Sequence, residues 1–86
     1  MTPEQFEAIQ NVIGFAAEDQ EDYAAYGNPG TDYGAKWPEV AAARAADFRK
    51  TAEWLSEQGG PGGVVDQLNS IADGLEKSGK EAQCSQ

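Results

Sequence analysis

The sequence predicts an all-α fold, a small three-helix bundle made of a long antiparallel helical hairpin and a shorter third helix. Three segments carry apolar residues at the spacing of one helix face, and two clusters of glycine and proline separate them. No segment shows the apolar–polar alternation that is typical of a half-buried strand. The length of 86 residues favours a single domain, which we predict over residues 1–79, followed by a disordered tail over residues 80–86.

The first helix is predicted from Pro3 to Tyr26. Thr2 suits the N-cap, Pro3 suits the first helical position, and Gln5 occupies the capping-box position three residues after the cap. Gly14 should weaken the middle of this helix, because glycine has a low helix propensity. The face expected to point into the core consists of Phe6, Ile9, Val12, Ile13, Ala16 and Tyr23.

A loop of about ten residues is expected next, because Asn-Pro-Gly at residues 28–30 is turn chemistry. Tyr33 in this loop should pack back onto the bundle. The second helix is predicted from Pro38 to Gln58 and should end at the glycine pair 59–60. Its alanine-rich seam should permit a close approach between helices. The seam comprises Trp37, Ala41, Ala45, Phe48, Ala52 and Leu55.

The third helix is predicted from Gly63 to Ser78, with Gly79 as its C-terminal cap. The glycine-rich connector before it has no following lysine to meet a phosphate, so a phosphate-binding loop is excluded. Two other arrangements stay open: the third helix lies across one end of the hairpin, or it packs against a second copy in a homodimer. Its predicted apolar stripe comprises Val64, Val65, Leu68, Ile71, Ala72 and Leu75.

The residue types argue against catalysis and metal binding. The chain has no histidine, so the commonest general base and zinc ligand is absent. Its one cysteine, Cys84, cannot form an internal disulfide and is expected to be a free thiol. The acidic run at residues 18–22 lacks the glycine turn of a calcium-binding loop. We therefore expect no enzyme, no cofactor and no metal site.

Negative charge is concentrated in the first part of the chain. The net charge is −9, of which residues 1–35 carry −7 because they contain seven acidic residues and no lysine or arginine. Such a surface repels nucleic-acid phosphates and anionic membranes, so the expected partner is a basic surface of a larger protein. The N-terminus lacks the basic start of a signal peptide, and no apolar run reaches the length of a membrane span. We therefore expect a cytoplasmic protein.

Several residues stand out as candidates for partner binding. Phe15 and Tyr26 fall on the charged side of the first helix, where an exposed aromatic ringed by carboxylates would form a hot spot. Phe15 could instead face the third helix or the loop, and Trp54 could lie at the core edge rather than on the surface. Arg44 lies within the apolar arc and should pair with a carboxylate of the first helix or cover an aromatic ring. The predicted partner-binding residues are Phe15, Glu18, Asp19, Glu21, Asp22, Tyr26 and Trp54.

These features favour a small acidic protein–protein interaction module, such as an inhibitor, an adaptor or an assembly factor. The composition, rich in alanine, glycine and acidic residues, resembles that of small accessory proteins of high-GC bacteria and their phages, although no motif accompanies it. A nucleic-acid mimic is an alternative, but carboxylates along the first helix are spaced roughly 6 Å apart, against about 1.7 Å per charge in duplex DNA. A self-assembling structural subunit is the other alternative.

Overall fold

A computed structural model describes residues 1–28 and 30–84, with the backbone alone for residues 83 and 84. Its three α-helices are α1 (Pro3–Tyr26), α2 (Asp32–Glu57) and α3 (Gly62–Cys84), and no strand occurs in the described residues. The prediction of an all-α three-helix bundle is therefore confirmed. The bundle is elongated, with principal extents of 44 × 20 × 15 Å.

The start of α1 forms as predicted. The Thr2 side chain accepts a hydrogen bond from the Gln5 backbone, and the Gln5 side chain accepts one from the Thr2 backbone, which completes a capping box. Gln5 is also buried, with 4% of its surface exposed, and its Nε2 lies 3.4 Å from Oε1 of Gln58. The cap of α1 is thereby tied to the end of α2, which shows that these two helices are antiparallel.

Helix α2 begins at Asp32, earlier than the predicted start at Pro38. Oγ1 of Thr31 accepts a hydrogen bond from the backbone of Gly34 at 3.0 Å, so Thr31 is the N-cap and the connection after α1 is short. Gly34 permits this tight turn, because a Cβ there would lie 2.7 Å from the carbonyl oxygen of Asn28. Pro38 is tolerated inside the helix but does not start it.

Helix α3 is longer than predicted, because it continues through Gly79 to Cys84. Gly79 is buried against α2 rather than capping the helix, and a Cβ on it would lie 3.3 Å from the Cβ of Ala41. The predicted disordered tail is therefore wrong for residues 80–84. Its remaining residues, 85 and 86, and the side chain of Cys84 lie outside the described part of the chain.

Helix α2 supplies the centre of the core. All six residues of its predicted seam are buried, at 1% exposure or less, and the alanines at this seam let α3 approach closely, as expected. On α3 the prediction is wrong for Ile71, which is exposed. The indole nitrogen of Trp37 donates to Oγ of Ser78, and the Trp37 ring stacks on Tyr23 at 4.3 Å. The buried hydrophobic residues on the other two helices are Ile9, Val12, Ala16, Leu68, Ala72 and Leu75.

The backbones of α1 and α3 stay farther from each other than either stays from α2. In the described part of the chain, no Cα atom of α1 comes within 8 Å of α3, whereas both pack against α2. Phe6 and Ile13 are 55% and 45% exposed instead of buried. The burial predicted for these two residues is therefore wrong. None of the helices in the described residues is long and apolar enough to cross a membrane.

Candidate protein-interaction surface

Arg44 organises the contact between α1 and α2. Its Nε lies 2.7 Å from Oδ2 of Asp19 on α1, and a second guanidinium nitrogen lies 3.0 Å from Oδ2 of Asp47, one turn along α2. The guanidinium carbon also lies 5.3 Å from the centre of the Phe15 ring. Both forms of pairing expected for this arginine, with a carboxylate of the first helix and with an aromatic ring, are confirmed.

Phe15 projects outward beside this ion pair. Its side chain remains 54% exposed, and it borders a shallow groove of about 300 Å³ between α1 and α2, to which Lys50 and Thr51 also contribute. The alternative that Phe15 faces the third helix is wrong, because the ring lies beside Arg44 of α2 and is 54% exposed. Arg44 restrains one side of the ring, while just over half of the side chain stays open to solvent.

We define the Phe15 surface as Phe15, Glu18, Asp22 and Tyr26. The spacings of three and four residues place these side chains along one side of α1. All four are exposed, and Tyr26 is the most exposed of the aromatic residues, at 65%. Within the described residues, no lysine or arginine lies within ion-pair distance of Glu18 or Asp22. The surface therefore combines two accessible rings with carboxylates that the chain itself does not neutralise.

Three of the predicted partner-binding residues lie apart from this surface. Asp19 is half-buried and occupied by Arg44, so it holds α1 against α2. Glu21 is exposed but lies roughly 120° around α1 from Phe15, at about 100° per residue. Trp54 on α2 is half-buried and packs against the core, which places it at the core edge.

Tyr33 supports the α1–α2 contact near Asp19. Its ring is half-buried against the core, as predicted, and its hydroxyl donates to the backbone carbonyl of Asp19 at 3.3 Å. Burial raises the pKa of the Tyr33 hydroxyl, and the negative charges of Asp22 and Asp19 raise it further. Tyr33 therefore stays neutral beside the acidic side of α1 at all physiological pH values.

The remaining polar contacts strengthen α2–α3 rather than forming a site. Nε of Arg49 lies 2.8 Å from Oε1 of Glu76, and the same guanidinium contacts Asp73. These hydrogen bonds raise the pKa of Arg49. No cluster of three potential metal ligands is found among the described residues.

A second exposed stripe on α1 was missed by the sequence interpretation. Its residues follow alternating spacings of four and three, contain no charge and are all exposed. Phe6 and Ile13 are predicted in the core because they fall near Ile9 and Val12 on the helix wheel. The regular spacing together with the absence of charge is the signal that could have identified a separate face. The stripe comprises Phe6, Gln10, Ile13, Ala17, Gln20 and Ala24.

Comparison with other proteins adds no assignment. No protein family, curated protein or solved structure matches this chain.

Proposed function

We propose that the chain is a protein–protein interaction module, acting in the cytoplasm as an inhibitor, adaptor or assembly factor, and that it binds a basic surface of a larger protein. The observation that supports this most strongly is the Phe15 surface, where a restrained aromatic ring remains 54% exposed. Ordered aromatic side chains surrounded by polar groups are typical of binding hot spots. The proposal assigns the chain no catalytic, cofactor-binding or metal-binding role.

The charge around Phe15 favours a basic partner. In the part of the chain that the structure describes, no lysine or arginine pairs with Glu18 or Asp22, and α1 itself contains neither residue type. A partner with lysines or arginines around an apolar pocket would pair with these carboxylates while its pocket received Phe15 or Tyr26. Such complementary charge would accelerate association and orient the complex, and the rings would supply most of the affinity.

A nucleic-acid mimic receives less support from the geometry. Asp19 is already paired with Arg44, and Glu21 points to a different side of α1 from Asp22. Because the carboxylates are divided in this way, they do not form one row at the spacing of phosphates. The two hypotheses differ in salt dependence, since a mimic should lose affinity steeply with salt, whereas an aromatic-anchored complex should persist.

Affinity capture from the native host, with mass-spectrometric identification, tests this function. We expect the wild-type chain to retain a larger protein at about 0.5 M salt, where surface charge pairs are strongly screened. Phe15→Ala should then weaken the binding of the identified partner by about tenfold or more, as expected for loss of a hot-spot ring. The double reversal Glu18→Lys with Asp22→Lys should weaken it as well, mainly by slowing association.

A matched control separates the Phe15 surface from total charge. The double variant Glu39→Lys with Glu53→Lys changes the net charge by the same amount as Glu18→Lys with Asp22→Lys. Its two positions are exposed on α2, away from Phe15. Partner binding should survive in this control. Equal losses in the two double variants, or unchanged binding in Phe15→Ala, would refute the Phe15 surface as the binding site. Asp19 is left intact throughout, because its replacement would also break the ion pair with Arg44.

A further inference from the structure

The face of the bundle opposite α2 carries a second feature, which we name the α1–α3 face. On α1 it consists of the uncharged stripe around Phe6 and Ile13, and on α3 of Gln67, Ile71 and Gly74, which are likewise uncharged and exposed. Both helices run antiparallel to α2, because Gln58 meets Gln5 at one end and Trp37 meets Ser78 at the other. The two stripes therefore run parallel to each other.

Helix geometry places both stripes on the same side of the molecule. At about 100° per residue, Ile13 lies roughly 120° from Asp19, which faces α2, and Ile71 lies roughly 140° from Glu76, which also faces α2. On each helix, the buried residues lie between the side that faces α2 and the side that carries the uncharged stripe. Ile13 and Ile71 therefore lie on the outer surface of α1 and α3, where both are exposed.

Two parallel helices that lie side by side leave a groove along their outer surface, in which one more helix can pack. A fourth helix lying between α1 and α3 would complete a four-helix arrangement and bury side chains that are now exposed, including Phe6. The alternating four-and-three spacing of the α1 stripe is the pattern by which helices pack along their length. The missing neighbour is therefore best described as an amphipathic helix.

Charge determines which helix fits. Beyond the uncharged stripe, the rim of α1 carries Glu7 and Glu21, and no basic residue occurs anywhere in residues 1–35. A second copy of the chain is a poor occupant, because it brings a net charge of −9 and its Arg44 and Arg49 are engaged in ion pairs. A helix with lysine or arginine beside its apolar stripe would neutralise the rim instead of repelling it.

We infer that the α1–α3 face binds a basic amphipathic α-helix of a partner protein. This site is separate from the Phe15 surface, since the two lie on opposite flanks of α1. The apolar residues of the incoming helix pack against Phe6, Ile13 and Ile71, and its basic residues meet the glutamates of the α1 rim. Recognition of this type places residues i, i+3, i+4 and i+7 of the bound helix in the groove.

A synthetic peptide tests the inference directly. The probe is a fluorescein-labelled peptide of about 18 leucines and lysines, with leucines at alternating spacings of three and four so that they form one helix face. Fluorescence anisotropy with the full chain should show saturable binding that persists at about 0.5 M salt. A scrambled peptide of the same composition, and a version with glutamate in place of lysine, should each bind at least tenfold more weakly.

Substitutions distinguish apolar docking from general attraction to an acidic protein. Ile13→Glu adds negative charge, which would tighten a purely electrostatic complex, but it should weaken peptide binding by at least tenfold because it places a carboxylate in the groove. Ile71→Ser should weaken binding without any change of charge. Ala46→Glu, on an exposed side of α2, adds the same charge elsewhere and should not weaken binding. Phe15→Ala should leave peptide binding unchanged, which separates this site from the Phe15 surface.

Three results would overturn the inference. The first is equal or tighter binding of the peptide to Ile13→Glu when circular dichroism shows that the variant remains folded. The second is equal binding of the scrambled peptide. The third is sedimentation of the free chain as a dimer that Ile13→Glu dissociates, because a second copy would then occupy the face.

Discussion

The two helix contacts of this bundle differ in kind. Between α2 and α3, small residues let the backbones approach closely, and a Cβ on Gly79 would lie 3.3 Å from that of Ala41. Between α1 and α2, burial is less complete, and the contact depends on polar groups such as the Arg44–Asp19 pair. The difference teaches that α2 and α3 form the more tightly packed unit, while α1 is held along one side and leaves two flanks exposed to solvent.

The largest expected effect comes from the core of the α2–α3 unit. Leu68 is 1% exposed, so Leu68→Asp would bury a carboxylate without a partner and should unfold the domain. A thermal melt followed by circular dichroism measures this. If the variant melted cooperatively near the wild-type temperature, Leu68 could not belong to the core and the comparison would fail.

Two glycines of α3 provide a matched test of close packing. Gly79 is pressed against α2, whereas a Cβ on Gly74 would meet no atom within 4 Å. Gly79→Leu should therefore lower the free energy of unfolding by about 1–3 kcal/mol through overpacking. Gly74→Leu should instead raise it by about 0.5–1 kcal/mol, because leucine has the higher helix propensity. Urea denaturation measures both variants, and equal changes would contradict the close α2–α3 approach.

The sequence predicted those features of the fold and the site that depend on a local pattern of residues. The seam of α2 was predicted completely, because its spacing is regular and both neighbours pack on that one side. Arg44 was also predicted correctly, since a charge within an apolar arc requires a partner. The boundaries at Gly34 and Gly79 were misinterpreted, because a glycine that permits close packing resembles one that ends a helix.

The exposed surfaces were harder to predict for a physical reason. Burial of Ile13 depends on whether α3 reaches α1, and no local pattern in either helix determines the distance between them. The position of Phe15 followed from the helix period, but its restraint by Arg44 required the register of α1 against α2. The spacing also could not show that Asp19 pairs with Arg44, whereas Asp22 forms no ion pair among the described residues.

A smaller effect is expected at the α1–α2 contact. Arg44→Met keeps the apolar stem but leaves Asp19 without its partner, and it should lower the free energy of unfolding by about 1 kcal/mol. The loss should shrink as salt is added, because the pair is only partly buried. Urea denaturation at low and high salt gives both values. Arg49→Met, which removes a more exposed arginine, is the control and should cost less.

Amide hydrogen exchange of the full chain tests the difference between the two contacts most directly. Amides near the centres of α2 and α3 should exchange only by global unfolding, whereas those at the centre of α1 should exchange sooner, through detachment of α1 alone. Equal protection of all three helix centres would contradict this account, because α1 would then be held as firmly as α3.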